Sequence, residues 1–235
     1  MMSLMPESFS LLDRPTYGFQ EVDDLLQLSP GTAKRWVDGY ERHGRRYDPV
    51  VRSSSLGNDI VTWGEFVEAR LLAEYRGAGV SMQRLRPAVM LLREEFGAYP
   101  LARARPLLDV EGRELVRAIQ REVRLDAPLE LVVVRNNQLL LASRSQRFVE
   151  AAEYSNDGER IVERLHPFPN LREVVIDPLR RAGQPVVRAV PTEVIAEQIR
   201  AGDSLATIAE AYDLESSQVE AAIRYELLRV GPRAA

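Results

Sequence analysis

The chain has 235 residues, 45% hydrophobic and 28% charged, which fits one large folded domain or two to three small ones and excludes a disordered chain. It has no cysteine, which removes disulfides, thiolate metal sites and cysteine nucleophiles and suits a cytoplasmic setting. The net charge of -4 argues against a uniformly basic nucleic-acid binder, and neither a signal peptide nor a membrane-length apolar run is expected from the sequence.

The first element predicted is a short amphipathic helix, Phe19 to Leu26, with Val22, Leu25 and Leu26 apolar. Gln27 and Leu28 make a turn. Ser29 is expected to cap a second helix, with Pro30 at its first position, where a missing N–H costs nothing. That helix runs to about Val37 and ends near Gly39. Ala33, Trp36 and Val37 share one face and are assigned to the core, while Thr32, Lys34 and Arg35 lie on the others. Two short helices, a tight turn and a polar face near the start of the second are helix-turn-helix features. Lys34 is the only lysine in the chain.

Val50-Val51 and Ile60-Val61 read as a hairpin around a Ser/Gly/Asn-rich tip. Thr62 and Glu65 have capping-box spacing for a third helix, which stops at Gly77. Ser81 caps a fourth, with Pro87 inside it as a potential kink. From about Leu107 the texture changes. A helix near 112–123 precedes two apolar runs around Asn136-Asn137, a two-residue hairpin signal. Further strands are expected at 160–165 and 173–176, with Pro-rich punctuation between them at "HPFPN". The last part is helical again, at 191–202, 203–212 and 215–228, with Gly202 closing the first of the three. The expected fold is mainly α with small β elements: an N-terminal winged helix-turn-helix (1–105), a β-containing middle segment (106–175) and a C-terminal three-helix, helix-turn-helix-like domain (176–235).

Charge divides along the same line. From Pro30 to Arg52, six cations stand against three anions; from Pro191 to Arg229, eight anions stand against three cations. Opposite fields imply different partners. Catalysis finds little support. His43 and His166 are the two histidines, and neither has neighbours at metal-ligand spacing. No nucleophile elbow, phosphate-cradling loop or dinucleotide fingerprint is present. No enzyme activity, cofactor or metal is expected. Asp23-Asp24 reads as a solvated helix edge rather than a metal pair.

Tyr17 to Gly97 resembles a MerR-type winged helix-turn-helix through "LSPGTAKRW", the presumed wing and "RLLAEYRGAGVSMQRLRPAV". Ile176 to Tyr225 is similar to the helical domain of unknown function common in VapB-type antitoxins. On these residues the chain is identified as a VapB-family antitoxin of the mycobacterial kind with a MerR-like N-terminus. The resemblance implies a homodimer that binds its own operator, represses it, and silences a cognate VapC toxin, a PIN-domain ribonuclease that uses carboxylate-held Mg²⁺ or Mn²⁺. Two features depart from the pattern. Classical VapB antitoxins wrap the toxin with a disordered C-terminal arm, whereas this C-terminus reads as helix. MerR regulators dimerise through a long coiled coil, for which the helix after Ser81 is too short.

Within that frame Thr32, Lys34 and Arg35 are the expected DNA readers, and Arg45, Arg46 and Arg52 the expected phosphate clamps. The competing reading of each is a solvated surface charge. The second helical trio starts its would-be recognition helix with Glu215, Ser216, Ser217, Gln218 and Glu220, so protein contact is expected there rather than DNA. Guanidinium groups can compete with metal for a PIN-domain's carboxylates, which points to Arg180, Arg181, Arg229 and Arg233 as toxin contacts, with solvated tail charges as the alternative for the last pair. Two other functions stay open: a ligand-responsive MerR-like regulator with the middle segment as effector pocket, and an oligomerising scaffold.

Overall fold

A computed structural model describes residues 10–230. Among them are ten α-helices and eleven strands. The chain begins with β1 (Pro15–Gly18), α1 (Phe19–Leu25) and α2 (Thr32–Val37). A hairpin of β2 (Tyr40–Arg42) and β3 (Arg45–Tyr47) follows, then β4 (Ile60–Thr62), α3 (Trp63–Tyr75) and α4 (Arg86–Phe96). The middle holds α5 (Arg105–Leu108), α6 (Val110–Glu122), the hairpin β5 (Val132–Arg135) and β6 (Gln138–Leu141), α7 (Ser143–Ala151), β7 (Ala152–Tyr154) and β8 (Val162–Leu165). The last stretch is β9 (Val174–Ile176), β10 (Pro185–Val187), β11 (Val190–Pro191), α8 (Thr192–Ala201), α9 (Leu205–Tyr212) and α10 (Ser216–Val230).

Helix α3 is the spine. The expected capping box starts it: Glu65 N–H donates to Thr62 Oγ1 at 3.3 Å, and Thr62 N–H donates to Glu65 Oε2 at 2.9 Å. Ten of its 13 residues are buried, so it must be covered on all sides. Helices α2 and α7 and strands β1 and β4 cover it. Trp63 Nε1 donates to Val162 O at 2.7 Å, and Tyr75 Oη lies 2.7 Å from Ser145 Oγ. These contacts tie the middle of the chain to its beginning. One hydrophobic core therefore runs from Leu12 through Phe66, Leu72 and Phe148 to Ile176. A second core, from Leu171 to Tyr225, packs Val187, Ile195, Ile208 and Val219 beneath α8–α10.

A five-stranded antiparallel sheet in the order β11-β10-β9-β8-β7 joins the two cores. The expected boundary at 175/176 falls inside β9, and that at 105/106 falls inside α5. Packing thus runs across both expected divisions. Tyr17 Oη donates to the carbonyl of Gly183 at 2.7 Å and fixes the N-terminal elements to the loop before β10. Gly183 has φ +79°, and a Cβ there would sit 2.2 Å from Tyr17 Oη, so only glycine satisfies both constraints.

Several local expectations are corrected. Val50-Val51 does not pair with Ile60-Val61: β4 pairs with β1, with Ile60 opposite Gly18, and the hairpin of this region is β2–β3. The turn at its tip, His43-Gly44, has both residues at positive φ (52° and 70°), as a two-residue turn between twisted strands requires. Pro87 does not kink a helix. Ser81 caps a 3-10 turn over Met82–Leu85, and Pro87 sits in the first turn of α4, where its missing N–H has no partner to lose. The Asn136-Asn137 hairpin and the Gly202 stop form as expected.

Glu68 of α3 is wholly buried, accepting from Leu101 N–H at 3.1 Å and lying 3.3 Å from Arg93 Nη2. Burial outweighs Arg93 and pushes its carboxyl from the ordinary 4.5 to about 7. The folded value exceeds the unfolded one, so this group's stabilising contribution is complete below 4.5 and is lost as pH rises through about 7. Urea unfolding of Glu68→Gln across pH 5 to 8 is expected to show a shallower fall in stability than the parent, with the variant gaining most at pH 8.

Candidate nucleic-acid interface

Helix α2 has only six residues, too few to hold itself in water, so its position is imposed from outside. The cap comes from α1. Asp23 is buried; its Oδ2 accepts from Gly31 N–H at 2.6 Å and its Oδ1 from Ala33 N–H at 2.7 Å. The residue before the helix is Gly31 at φ 77°, not Ser29, and Asp23 is a cap rather than a solvated edge. Ala33, Trp36 and Val37 enter the first core, as expected. The carbonyl of Trp36 accepts from Val50 and Val51 N–H at 2.8 and 2.9 Å, which brings the chain beyond the hairpin back to the end of α2.

This leaves a narrow outer face. Lys34 and Arg35 are exposed, and Thr32 is not. Thr32 is 7% exposed and its Oγ1 accepts from Arg35 Nη2 at 2.7 Å. The reading of Thr32 as a groove contact is therefore corrected: it orients Arg35. On so short a helix, residues at 32, 33, 36 and 37 face the core and only the 34–35 pair remains outside.

The β2–β3 hairpin follows α2 directly in the chain and is almost entirely exposed. Tyr40 and Tyr47 stack across the strands at 4.6 Å, and the Arg45 guanidinium lies 5.3 Å from the Tyr47 ring. Arg42 and Arg45 are directly opposed at the tip, and Arg46 opposes Glu41. Two like charges across a strand pair repel, and an anion between them relieves that repulsion. Arg46 reaches Asp48 at 3.7 Å, but both are well exposed, so that pair contributes little. Arg42, one of the cations counted between Pro30 and Arg52 but not assigned to DNA contact from the sequence, stands opposite Arg45 on the same hairpin. The signal was present in the mirror-like run "YERHGRRY" around His-Gly.

Arg52 does not belong to this face. It is buried, with Nε 2.6 Å from Glu65 Oε1, Nη2 3.0 Å from Glu65 Oε2 and Nη1 2.9 Å from Asp38 Oδ1. Asp38 also accepts from Ser55 Oγ and the amides of Leu56 and Gly57. Burial works against its ionisation, but those donors and Arg52 together hold the Asp38 carboxyl below the usual range. Arg86 and Arg93 donate to the carbonyls of Pro49, Ser53 and Val51, pinning the same stretch. Arg52 is a structural clamp, not a phosphate contact.

In the C-terminal unit Glu215, Ser216, Ser217 and Glu220 are all exposed at the start of α10. Arg180 is exposed and 3.3 Å from Asp177, and Arg181 is exposed. Arg229 is not a tail residue. It lies on α10, 2.9 Å from Glu226, whose other oxygen accepts from Thr192 Oγ1. Arg233 lies outside the described residues. His166 is buried, its Nε2 2.7 Å from Glu153 Oε1, whereas His43 is exposed at the hairpin tip. Among the described residues no cluster of three or more His, Asp or Glu is placed to hold a metal ion, and no helix is long and apolar enough to cross a membrane.

Residues 15–89, from β1 into α4, match the family model described as "Putative DNA-binding HTH domain", and residues 174–225 match "Protein of unknown function (DUF433)". The two matches define a helix-turn-helix protein with a DUF433 unit at its C-terminal end. Over 221 residues, 92% of each chain, the protein is 38% identical to "Uncharacterized protein Rv2308" of Mycobacterium tuberculosis (strain ATCC 25618 / H37Rv), and it belongs to that protein's family. It is also similar to "Putative antitoxin VapB45" of the same strain, 26% identical over 231 residues, covering 90% of this chain and 93% of that one. The X-ray crystal structure of Rv2018 from Mycobacterium tuberculosis has a similar fold, with a TM-score of 0.73 at 24% identity, covering 91% of this chain and all of that one.

The two arginine environments make opposite predictions. Arg52→Met leaves two buried carboxylates without their cation and is expected to cost about 3–5 kcal/mol in urea unfolding. Arg45→Ala on the exposed hairpin is expected to stay within about 0.5 kcal/mol of the parent.

Proposed function

We propose that this protein is a DNA-binding antitoxin that represses its own operator and neutralises a PIN-domain ribonuclease of the VapC type. The observation that carries the DNA half is the exposed Lys34–Arg35 pair of α2, followed directly in the chain by the exposed guanidinium hairpin. Helix α2 enters the major groove with Lys34 and Arg35, and β2–β3 acts as the wing, setting Arg42, Arg45 and Arg46 on phosphates. The relative named as an antitoxin supports the other half. The C-terminal three-helix unit, with its carboxylate-rich surface, serves protein contact rather than DNA, and Arg180 and Arg181 remain the candidate toxin contacts. Arg229 is withdrawn from that role by its pairing with Glu226.

The working unit is a homodimer on a pseudo-palindromic site, because protein two-fold symmetry is mirrored in the operator. The longest described helix, α10, has 15 residues, so the dimer is built without a long MerR-type coiled coil.

Fluorescence anisotropy on the chain's own upstream DNA tests the reading. With ~3 phosphates neutralised per subunit, log affinity is expected to fall against log salt with a slope of about -5. Changing Arg42, Arg45 and Arg46 together to Ala is expected to flatten that slope. Changing Lys34 and Arg35 to Ala is expected to abolish discrimination between operator and random DNA while unfolding curves stay unchanged. Operator affinity equal to the parent in both variants would sink the assignment. For the toxin half, co-purification with a PIN-domain protein encoded next to the gene should abolish that protein's RNA cleavage. Cleavage that persists at excess antitoxin would refute it.

A further inference from the structure

A cleft of about 340 Å³ opens where the helix-turn-helix, the central helix and the C-terminal sheet meet. Its floor is apolar: Phe66, Leu165 and Ile176, all buried. Phe168, from the Pro-rich loop between β8 and β9, lines one side, and Leu25 at the end of α1 with Leu26 and Gln27 of the turn after it line the other. The volume lies within the usual range for small-molecule sites, which pair apolar walls with a few placed polar groups.

Those polar groups are unbalanced in charge. Arg70, Arg76 and Arg147 face the cleft with Glu74 as their carboxylate. Arg70 Nη1 takes one oxygen of Glu74 at 2.6 Å and Arg147 Nε takes the other at 3.0 Å. Burial opposes ionisation of Glu74, but these two guanidiniums outweigh it and hold its carboxyl below the ordinary value. Glu74 is therefore a fixed anion already shared between two cations. Arg76 Nη1 donates to the neutral carbonyl of Gln27 at 2.6 Å. Three cations and one anion thus surround a half-enclosed apolar floor, where charge is screened less than on an open surface.

We propose that this cleft is a binding site for a small organic monoanion, an aromatic or branched aliphatic carboxylate. Its apolar body lies over Phe66, Leu165 and Ile176, and its carboxylate pairs with Arg76 and Arg147. An inorganic anion leaves the floor uncovered, and a neutral compound leaves the excess charge unmatched. The site does not depend on the toxin reading. Its occupant touches Gln27, a left-handed residue of the helix-turn-helix turn (φ 52°), whose side-chain Nε2 also donates to the Leu228 carbonyl of α10. Gln27 stands five residues before the first residue of α2, Thr32, along one braced segment.

Phenylacetate is the probe, phenylacetamide its neutral counterpart, and the full chain the target, followed by isothermal titration calorimetry and thermal melting. Saturable phenylacetate binding with Kd below about 10 mM is expected, with the amide at least about tenfold weaker. Arg76→Gln keeps a donor for the Gln27 carbonyl and is expected to erase the preference for the acid. Ala73→Phe fills the cleft and is expected to abolish binding of both compounds; where it fails to fold by circular dichroism, Arg76→Gln decides alone. No saturable binding of phenylacetate, equal binding of acid and amide by the parent, or an acid preference that survives Arg76→Gln would each overturn the proposal.

Discussion

The buried guanidinium of Arg52 is held by two carboxylates from different parts of the chain: Asp38 at the end of α2 and Glu65 in the first turn of α3. Neither carboxylate is available for anything else. Glu65 closes the capping box of the central helix, and Asp38 gathers the amides of the Leu56–Gly57 bend. A three-way ion cluster out of water is weakly stabilising as a whole but severely destabilised when one member is lost, so it acts as a geometric constraint more than as a source of energy. What it constrains is the placement of α2 against the spine on which the first core is built.

That constraint explains how a six-residue helix can hold a fixed position. Its N-terminal amides are capped from α1 by Asp23, its C-terminal end is fixed by the Asp38–Arg52 pair, and its last carbonyls accept from the returning chain at Val50 and Val51. The hairpin that follows it carries the Tyr40–Tyr47 stack across its strands, and its guanidiniums stand in solvent. The carboxylates of α8–α10 belong to elements packed over the second core, while α2 packs into the first.

The same bracing joins the helix-turn-helix to the rest of the molecule. Tyr17 reaches Gly183, Gln27 reaches Leu228, and Arg76 reaches Gln27, so the turn before α2 is bonded both to the end of α3 and to the end of α10. The C-terminal unit and the end of α3 therefore meet the turn before α2 through hydrogen bonds rather than through a flexible linker.

The sequence by itself determined those features whose causes lie within a few residues. The two short helices and their turn, the Thr62–Glu65 capping box, the Asn136-Asn137 hairpin, the Gly202 stop and the opposite charges of the two ends were all legible because propensity, capping and charge act locally. Trp36 could be assigned to the core from periodicity alone. Tertiary structure decided the rest. The partner of β4 is β1, across some 40 residues that carry no pairing signal. Asp23, not Ser29, caps α2, because a side chain on a neighbouring helix outreached the local hydroxyl. Thr32 and Arg52 read as surface polar residues in sequence and are buried in space, each satisfied by a partner whose position is set only when the core forms. An arginine's role depends on which carboxylates the fold places beside it, and sequence spacing does not encode that.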